Sequence, residues 1–235
     1  MSAVLFSIAG GVATLTLNRP ESRNALNLEM CNGIIEAASA AAEAKVFLVR
    51  ANGPVFCAGA DLKERQGMSE AQVRERRMKG FAAYAALEAL PMPSIAVLQG
   101  PAVGSGCEIA AACDFIVATP EASFRTPEAI RGTVGATQRL PRILGKRLAK
   151  DMMFTGRTLS AEEAKQAGLI ARLVVELEAE ILKITQAVLE APTQSLRLAK
   201  RCIDRGVELD PKGALEVEIE AIEEQLKAGN WMGKK

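Results

Sequence analysis

The sequence contains no histidine among its 235 residues. A Ser-His-Asp or Cys-His hydrolase is therefore excluded, because the imidazole base of those enzymes is missing. Zinc and non-haem iron sites that depend on histidine ligands are excluded for the same reason. Acid–base chemistry in this chain must rely on carboxylates, lysine, tyrosine or cysteine.

Aromatic residues are also scarce, at 4% of the chain, with one tyrosine (Tyr84) and one tryptophan (Trp231). Proteins that bind single-stranded nucleic acid stack bases on aromatic side chains. The 29 basic and 28 acidic residues leave a net charge of +1, so there is no global basic field for nucleic acid or anionic lipid. We expect neither a nucleic-acid partner nor a membrane partner.

Long hydrophobic runs are absent, since every apolar stretch is interrupted well before the roughly 18 residues of a membrane-spanning helix. Residues 1–18 lack the basic segment and apolar core of a secretory signal. The five cysteines are an odd number at scattered positions, mostly among apolar or small residues, which is typical of reduced, buried thiols. These features predict a cytoplasmic protein without a metal site.

Strand and helix patterns alternate through the first 120 residues, which indicates an α/β architecture. The predicted strands are 4–8 and 12–17, joined as a hairpin, then 45–50, 94–98 and 115–118. Helices are predicted over 28–43, 69–90 and 107–113, with a small-residue turn at 100–106 and a charged, solvated face over 63–79.

Helical patterns dominate the rest of the chain. They cover 136–144, 147–154, 161–167, 177–189, 195–206 and 212–228. We therefore divide the chain into an α/β core region, 1–135, and a helical region, 136–235.

Glu108 is the first candidate for chemistry. It lies in the first turn of a predicted helix whose other residues are apolar or small. The helix dipole favours a carboxylate there, which is a purely structural explanation. Because this helix should be buried, its carboxylate also requires a functional reason. The residues alone leave the two interpretations about equal.

Three further segments have a structural and a functional interpretation. The turns at 57–60 and 104–106 consist of small residues that let a backbone approach a ligand, and the second could present N–H groups at a helix start. Taken alone, each such segment is more often an ordinary turn. Glu128 follows Pro127, so it could simply be an acidic residue in a helix's first turn.

Together, the motifs resemble those of the crotonase family, the enoyl-CoA hydratases and isomerases, over nearly the whole chain. Several ordered motifs are far more specific than any one of them. The matching segments are NRP at 18–20, RNAL at 23–26, FCAGADLK at 56–63, GPAVGSGCEIAAACDF at 100–115, TPE at 126–128, TQRLPRILG at 137–145 and AEEAKQAGL at 161–169.

The resemblance implies an α/β fold with a spiral of ββα units, and a C-terminal helical region that builds trimers or hexamers. It implies an acyl-CoA thioester as substrate, with no separate cofactor. The backbone N–H groups of Ala60 and Ser105 match the family's oxyanion hole, which contributes about 3–4 kcal/mol per donor in comparable acyl-transfer sites. Ser105 stands where the family usually has glycine.

The acid–base residues distinguish the family's subgroups, and Glu108 and Glu128 match those of the hydratases. By resemblance, Glu108 activates the water that attacks Cβ. Glu128 supplies the Cα proton and recovers one from the water in the net cycle. Two carboxylates can perform this addition if their surroundings tune their pKa values.

Coenzyme A binding is expected at residues that match the family's nucleotide site. Arg23 and Lys63 are candidates for the phosphates, although each could equally be a surface charge. The backbone of Ala58, Gly59 and Ala60 is the candidate for adenine. Asp61 and Gly104 complete the predicted set. We expect the pocket walls to come from 63–80, Phe81, Tyr84 and 130–136.

The join at 129–137 departs from the hydratase pattern, because it is about three residues short in motif spacing. In hydratases a backbone N–H of this turn helps to hold the water. Because both glutamates match the hydratases, the leading hypothesis is a 2-enoyl-CoA hydratase acting on a short or medium acyl chain. The short join leaves open the alternative, an enoyl-CoA isomerase or another crotonase-type enzyme. A catalytically inactive or RNA-binding relative is the non-enzymatic alternative.

Overall fold

The computed structural model describes residues 2–229, so Trp231 and the end of the predicted helical region lie outside the described residues. The described strands are β1 (Val4–Ala9), β2 (Val12–Leu17), β3 (Val46–Ala51), β4 (Ser94–Leu98), β5 (Ala102–Val103), β6 (Phe115–Ala118), β7 (Ser123–Arg125), β8 (Thr158–Ser160) and β9 (Arg172–Leu173). The α-helices are α1 (Leu28–Ala40), α2 (Glu70–Glu88), α3 (Ser105–Ala111), α4 (Arg139–Thr155), α5 (Ala161–Gln166), α6 (Leu177–Glu190), α7 (Thr193–Gly206) and α8 (Pro211–Lys227).

Six strands form the larger sheet, in the order β1-β2-β3-β4-β6-β9. The predicted hairpin is confirmed, with β1 antiparallel to β2 and a turn at Gly10 and Gly11, both with positive φ. All the other pairs in this sheet are parallel. β3 and β4 are buried because helices and loops cover both faces, as their continuous apolar sequences predicted.

Two helices beside this sheet have side-chain caps: α1 contacts β1 and β2, and α2 packs against α1. Asn27 caps α1 by accepting a hydrogen bond from the N–H of Met30 at 2.9 Å. Ser69 and Gln72 form the capping box that the sequence predicted at the start of α2. The predicted solvated face at 63–79 is wrong for Arg76, whose side chain is buried on α2.

The smaller sheet has the order β5-β7-β8 and positions the candidate site. β5 is parallel to β7, so the chain leaves both strands at the same edge of the sheet. It enters α3 after β5 and reaches Thr126-Pro127-Glu128 after β7. The bridge between Cys57 and Ala102 brings the 57–60 turn to the same edge. Three segments distant in sequence therefore converge here.

Several predicted boundaries were wrong. The predicted turn at 100–106 contains β5, and the helix predicted over 107–113 occupies Ser105–Ala111. The helices predicted at 136–144 and 147–154 form the single element α4, interrupted at Gly145, whose φ of 77° is not helical. The predicted helical region also contains β8 and β9, which pair with β7 and β6.

The C-terminal helices leave apolar side chains on the surface. α7 packs against α8, and the exposed apolar residues of this region include Phe154, Leu182, Ile203, Val207, Leu215, Ile219 and Ile222. Within residues 2–229, no helix combines the length and apolar character needed to cross a bilayer.

Candidate active site

A cavity of about 150 Å³ lies where the three segments converge. Its walls come from the 58–60 turn, the start of α3, the 127–136 segment and one face of α2. Ala58, Gly59, Ala60, Gly104, Ser105, Glu108 and Glu128 line it, as do Phe81, Tyr84 and residues 131 and 133–136. A more open groove of about 1080 Å³ adjoins it, and Glu108 borders both spaces.

The backbone N–H groups of Ala60 and Ser105 lie at this cavity. The Ala60 turn is held in register because Leu26 donates its N–H to the Gly59 carbonyl at 2.8 Å, and Leu26 accepts the N–H of Asp61 at 2.9 Å. Among the hydrogen bonds of residues 2–229, neither the Ala60 N–H nor the Ser105 N–H has an acceptor.

Gly59 lets the two turns approach each other. Its φ is 97°, and a Cβ placed on it would lie 3.0 Å from the Val103 carbonyl oxygen and 4.0 Å from the Ser105 nitrogen. The Ser105 N–H also stands at the first turn of α3, where backbone donors are unsatisfied by the helix. The pair therefore offers two donors to one oxyanion.

Glu108 lies in the first turn of α3 and is only 6% exposed. Its Oε2 accepts a hydrogen bond from Arg139 Nη1 at 3.0 Å. Its Oε1 is buried and has no hydrogen-bond partner among the described residues. Burial raises the pKa of Glu108, and the Arg139 guanidinium opposes that rise by favouring the carboxylate.

Glu128 lines the same cavity as Glu108. It follows β7 and stands at the start of the 3-10 helix Ala129–Arg131. Gly104 packs against it so closely that a Cβ there would lie 2.3 Å from Glu128 Oε1. Glu128 Oε2 is buried without a hydrogen-bond partner in the described chain. Burial raises the pKa of Glu128, and the negative charge of Glu108 raises it further.

These environments distinguish the two carboxylates. Glu108 has a cationic partner that favours its ionised form, whereas Glu128 has no ion pair within residues 2–229. Such a pair can divide the roles of base and acid. Cysteine is a poor alternative nucleophile here, because burial raises the pKa of Cys57 to about 12.

Arg139 contacts the candidate site, although the sequence alone predicted no role for it. It lies within the TQRLP motif, but its partners are distant in sequence: Glu108, and Glu88 through Nη2 at 2.6 Å. Its guanidinium also lies 5.7 Å from the centre of the Tyr84 ring. The motif could have drawn attention to this arginine, although only the fold reveals its partners.

The predicted CoA residues divide into two groups. Ala58, Gly59, Ala60 and Gly104 line the cavity, whereas Arg23 and Lys63 are exposed and lie outside it.

Asp61 also lies outside the cavity and makes structural contacts. Its Oδ2 pairs with Arg19 at 2.9 Å, and its Oδ1 accepts the N–H of Lys63 at 3.0 Å. Burial opposes ionisation, yet the hydrogen bonds from Arg19 and the backbone lower the pKa of Asp61 overall.

Two carboxylates beside two backbone N–H groups without acceptors are typical of an acid–base enzyme that acts next to a carbonyl group. A family model described as enoyl-CoA hydratase/isomerase matches residues 7–230. The chain is 40% identical over 223 residues to the mitochondrial enoyl-CoA hydratase domain-containing protein 2 of Bos taurus, covering 88% of this chain and 75% of that protein. The chain belongs to the enoyl-CoA hydratase/isomerase family, also called the crotonase family.

Solved structures confirm the crotonase fold. The enoyl-CoA hydratase of Bacillus anthracis superimposes with a TM-score of 0.90 at 34% identity, covering 94% of this chain and 90% of that one. An enoyl-CoA hydratase homologue from Thermobifida fusca, in complex with acetoacetyl-CoA, gives a TM-score of 0.88 at 25% identity, covering 97% and 96%. The fold class expected from the motifs is therefore confirmed.

Proposed function

We propose that this protein is an enoyl-CoA hydratase, which adds water across the 2,3 double bond of a 2-enoyl-CoA thioester. One observation carries the proposal: Glu108 and Glu128 each have an unpartnered, buried carboxylate oxygen beside the same cavity. Buried carboxylate oxygens without donors cost free energy unless a ligand or water supplies a hydrogen bond. Water addition uses two such groups, whereas double-bond isomerisation needs one.

The thioester carbonyl oxygen accepts hydrogen bonds from the N–H groups of Ala60 and Ser105. Glu108, held toward its ionised form by Arg139, accepts a hydrogen bond from the water and directs it to Cβ. As the new C–O bond forms, the π electrons move toward the carbonyl to give an enolate. Glu128, held toward its protonated form by burial, protonates Cα and recovers a proton from the water.

The substrate proposal draws support from the Thermobifida fusca protein, whose structure holds acetoacetyl-CoA. In this chain the Ala58 N–H donates to the Arg23 carbonyl at 2.9 Å, so Arg23 is tied to the cavity turn while its side chain stays exposed. We place the CoA phosphates at Arg23 and Lys63, at the mouth of the site. The addition is redox-neutral, so we propose no cofactor besides the thioester itself.

Product analysis separates hydration from isomerisation. The purified protein is incubated with crotonyl-CoA and, separately, with 3-hexenoyl-CoA, and the products are separated by liquid chromatography. We expect 3-hydroxybutyryl-CoA from the first substrate at a rate far above any conversion of the second. Conversion of 3-hexenoyl-CoA alone would replace the hydratase proposal with an isomerase.

We further propose that the chain forms trimers, or hexamers of paired trimers, through its C-terminal helical region in the cytoplasm. The exposed apolar side chains on α4 and α6–α8 support an interface there, because such patches are costly on a free surface. Light scattering coupled to size-exclusion chromatography should give three or six times the 25.0 kDa chain mass. A monomer at micromolar concentration would contradict this.

A further inference from the structure

Four arginines line the reaction cavity: Arg65, Arg76, Arg77 and Arg131. This is an unusual wall for a fatty acyl chain, since hydrocarbon gains nothing from a guanidinium. The cavity's acidic residues are Glu108 and Glu128, both assigned to the reaction. The charges of the four arginines therefore need an explanation.

Arg76 has a structural role. Its buried side chain forms an ion pair with half-buried Glu64 and donates to the Leu26 carbonyl. Glu64 in turn accepts the N–H of Leu28 at 2.8 Å, which ties α2 to the start of α1. The charge of Arg76 is thus neutralised within the protein.

The other three arginines have no carboxylate partner within the described chain. Arg77 donates to neutral groups, the Thr133 hydroxyl at 3.3 Å and the Val134 carbonyl. No ion pair within residues 2–229 includes Arg65, Arg77 or Arg131. Arg65, Arg77 and Arg131 therefore border one small cavity, the first two half-buried and Arg131 exposed, and within the described chain they have no counter-charge there besides the two carboxylates.

These arginines lie at the reacting end of the site. They share a cavity of about 150 Å³ with Glu108 and Glu128. The positive charges of Arg131 and Arg77 also lower the pKa of Glu128, against the larger effect of burial. The phosphates of CoA are separated from its thioester by the whole pantetheine arm, so a cavity of this size cannot hold both. Arg23 and Lys63 remain outside it for the phosphates.

We propose that the acyl group taken by this enzyme carries its own carboxylate, so that the substrate is the CoA monothioester of a short unsaturated dicarboxylic acid. The inference rests on the proposed function, because it assigns the acyl end of the same site. A guanidinium fork matches a carboxylate with two parallel hydrogen bonds. Apolar groups of Leu62, Phe81, Tyr84 and Val103 border the cavity and can contact the short hydrocarbon between the thioester and the carboxylate.

The test compares two saturated ligands that cannot be hydrated, glutaryl-CoA, which carries the carboxylate, and butyryl-CoA, which does not. Dissociation constants are measured by calorimetry for the wild type, Arg65→Gln and Arg131→Gln. Lys79→Gln is the matched control, because Lys79 is an exposed cation on α2 that does not line the cavity. Free CoA is the third ligand, which reports the phosphate contacts alone.

We expect glutaryl-CoA to bind the wild type at least about tenfold more tightly than butyryl-CoA, because one charge-assisted hydrogen bond provides that gain in affinity. Each arginine variant should remove most of that preference and leave the affinity for butyryl-CoA and free CoA within about twofold. Lys79→Gln should leave all three affinities unchanged.

Equal affinity of the wild type for glutaryl-CoA and butyryl-CoA would overturn the inference. So would an equal loss for all three ligands in the variants, which would place the arginines at the phosphates. Failure of the proposed function is distinguishable, since crotonyl-CoA and glutaconyl-CoA would then both remain unhydrated while the preference for glutaryl-CoA persisted.

Discussion

The ion pair between Arg139 and Glu108 should set the pH at which the enzyme becomes active. Arg139 Nη1 lies 3.0 Å from Glu108 Oε2, and both side chains are largely buried, at 18% and 7% exposed. The guanidinium favours the ionised form of Glu108, which activates water in the proposed mechanism. Replacing Arg139 with glutamine removes that charge, and the pKa of Glu108 should rise further above its usual value because burial then acts unopposed.

The magnitude follows from the contact. A hydrogen bond to a charged group is worth about 1.5–3 kcal/mol, or about 10- to 100-fold in a rate at fixed pH. The second partner of Arg139, Glu88, is 56% exposed, and exposed ion pairs contribute about 0–1 kcal/mol. Almost all of the loss should therefore arise from Glu108.

The assay is kcat/KM for hydration of crotonyl-CoA between pH 5 and pH 9, followed by the loss of ultraviolet absorbance of the conjugated thioester. In Arg139→Gln the acidic limb of the profile should move to higher pH, with a loss of about 10- to 100-fold near neutral pH that recovers under alkaline conditions. Arg139→Lys should recover part of the loss, and Glu88→Gln should change kcat/KM by less than about fivefold. A uniform decrease at every pH in Arg139→Gln would refute the reasoning.

Three further substitutions, the first with a matched control, test packing and charge around the site. Gly104→Ala should lower kcat at least about tenfold, because its Cβ would displace Glu128. Gly67→Ala is the control, since Gly67 also has a positive φ but open space around it. This control should keep its activity and lose about 1 kcal/mol of stability in urea denaturation. Glu128→Gln should raise Tm at pH 8, and this gain should shrink as the pH falls. The reason is that a carboxyl group whose pKa is raised in the folded state costs stability only once it ionises. An equal gain in Tm at pH 4 and pH 8 would contradict this. Arg76→Met should lower the free energy of unfolding by about 1.5–3 kcal/mol, since half-buried Glu64 would lose its charged partner. A loss below about 1 kcal/mol would show that the pair is dispensable.

Elements with a strong local signal were predictable from the sequence. The hairpin β1–β2 has turn glycines between β-rich segments, and α2 has the capping pair Ser69 and Gln72. The short strands β7, β8 and β9 have only two or three residues each, too few for any periodicity, and they form because distant partners pair with them.

The site was predictable where the chemistry is local and hidden where it depends on distant contacts. Glu108 is unusual from the sequence alone, because a carboxylate in an otherwise apolar helix is costly to bury. Nothing in the sequence around Arg76 distinguishes it from the other arginines of the same stretch, yet its side chain is buried and pairs with Glu64 and the Leu26 carbonyl. The counter-charge of Arg139 similarly lies 31 residues away, on α3.

Crotonyl-CoA hydration by Glu108→Gln, Glu128→Gln and the double variant tests the central claim, that two carboxylates act together on one water. Each single variant should lose about 10²–10⁴-fold in kcat, the usual contribution of general acid–base catalysis. The double variant should fall little further than the slower single variant, because groups that act as a unit are not additive. If either single variant keeps kcat within about tenfold of the wild type, the two-carboxylate mechanism is wrong.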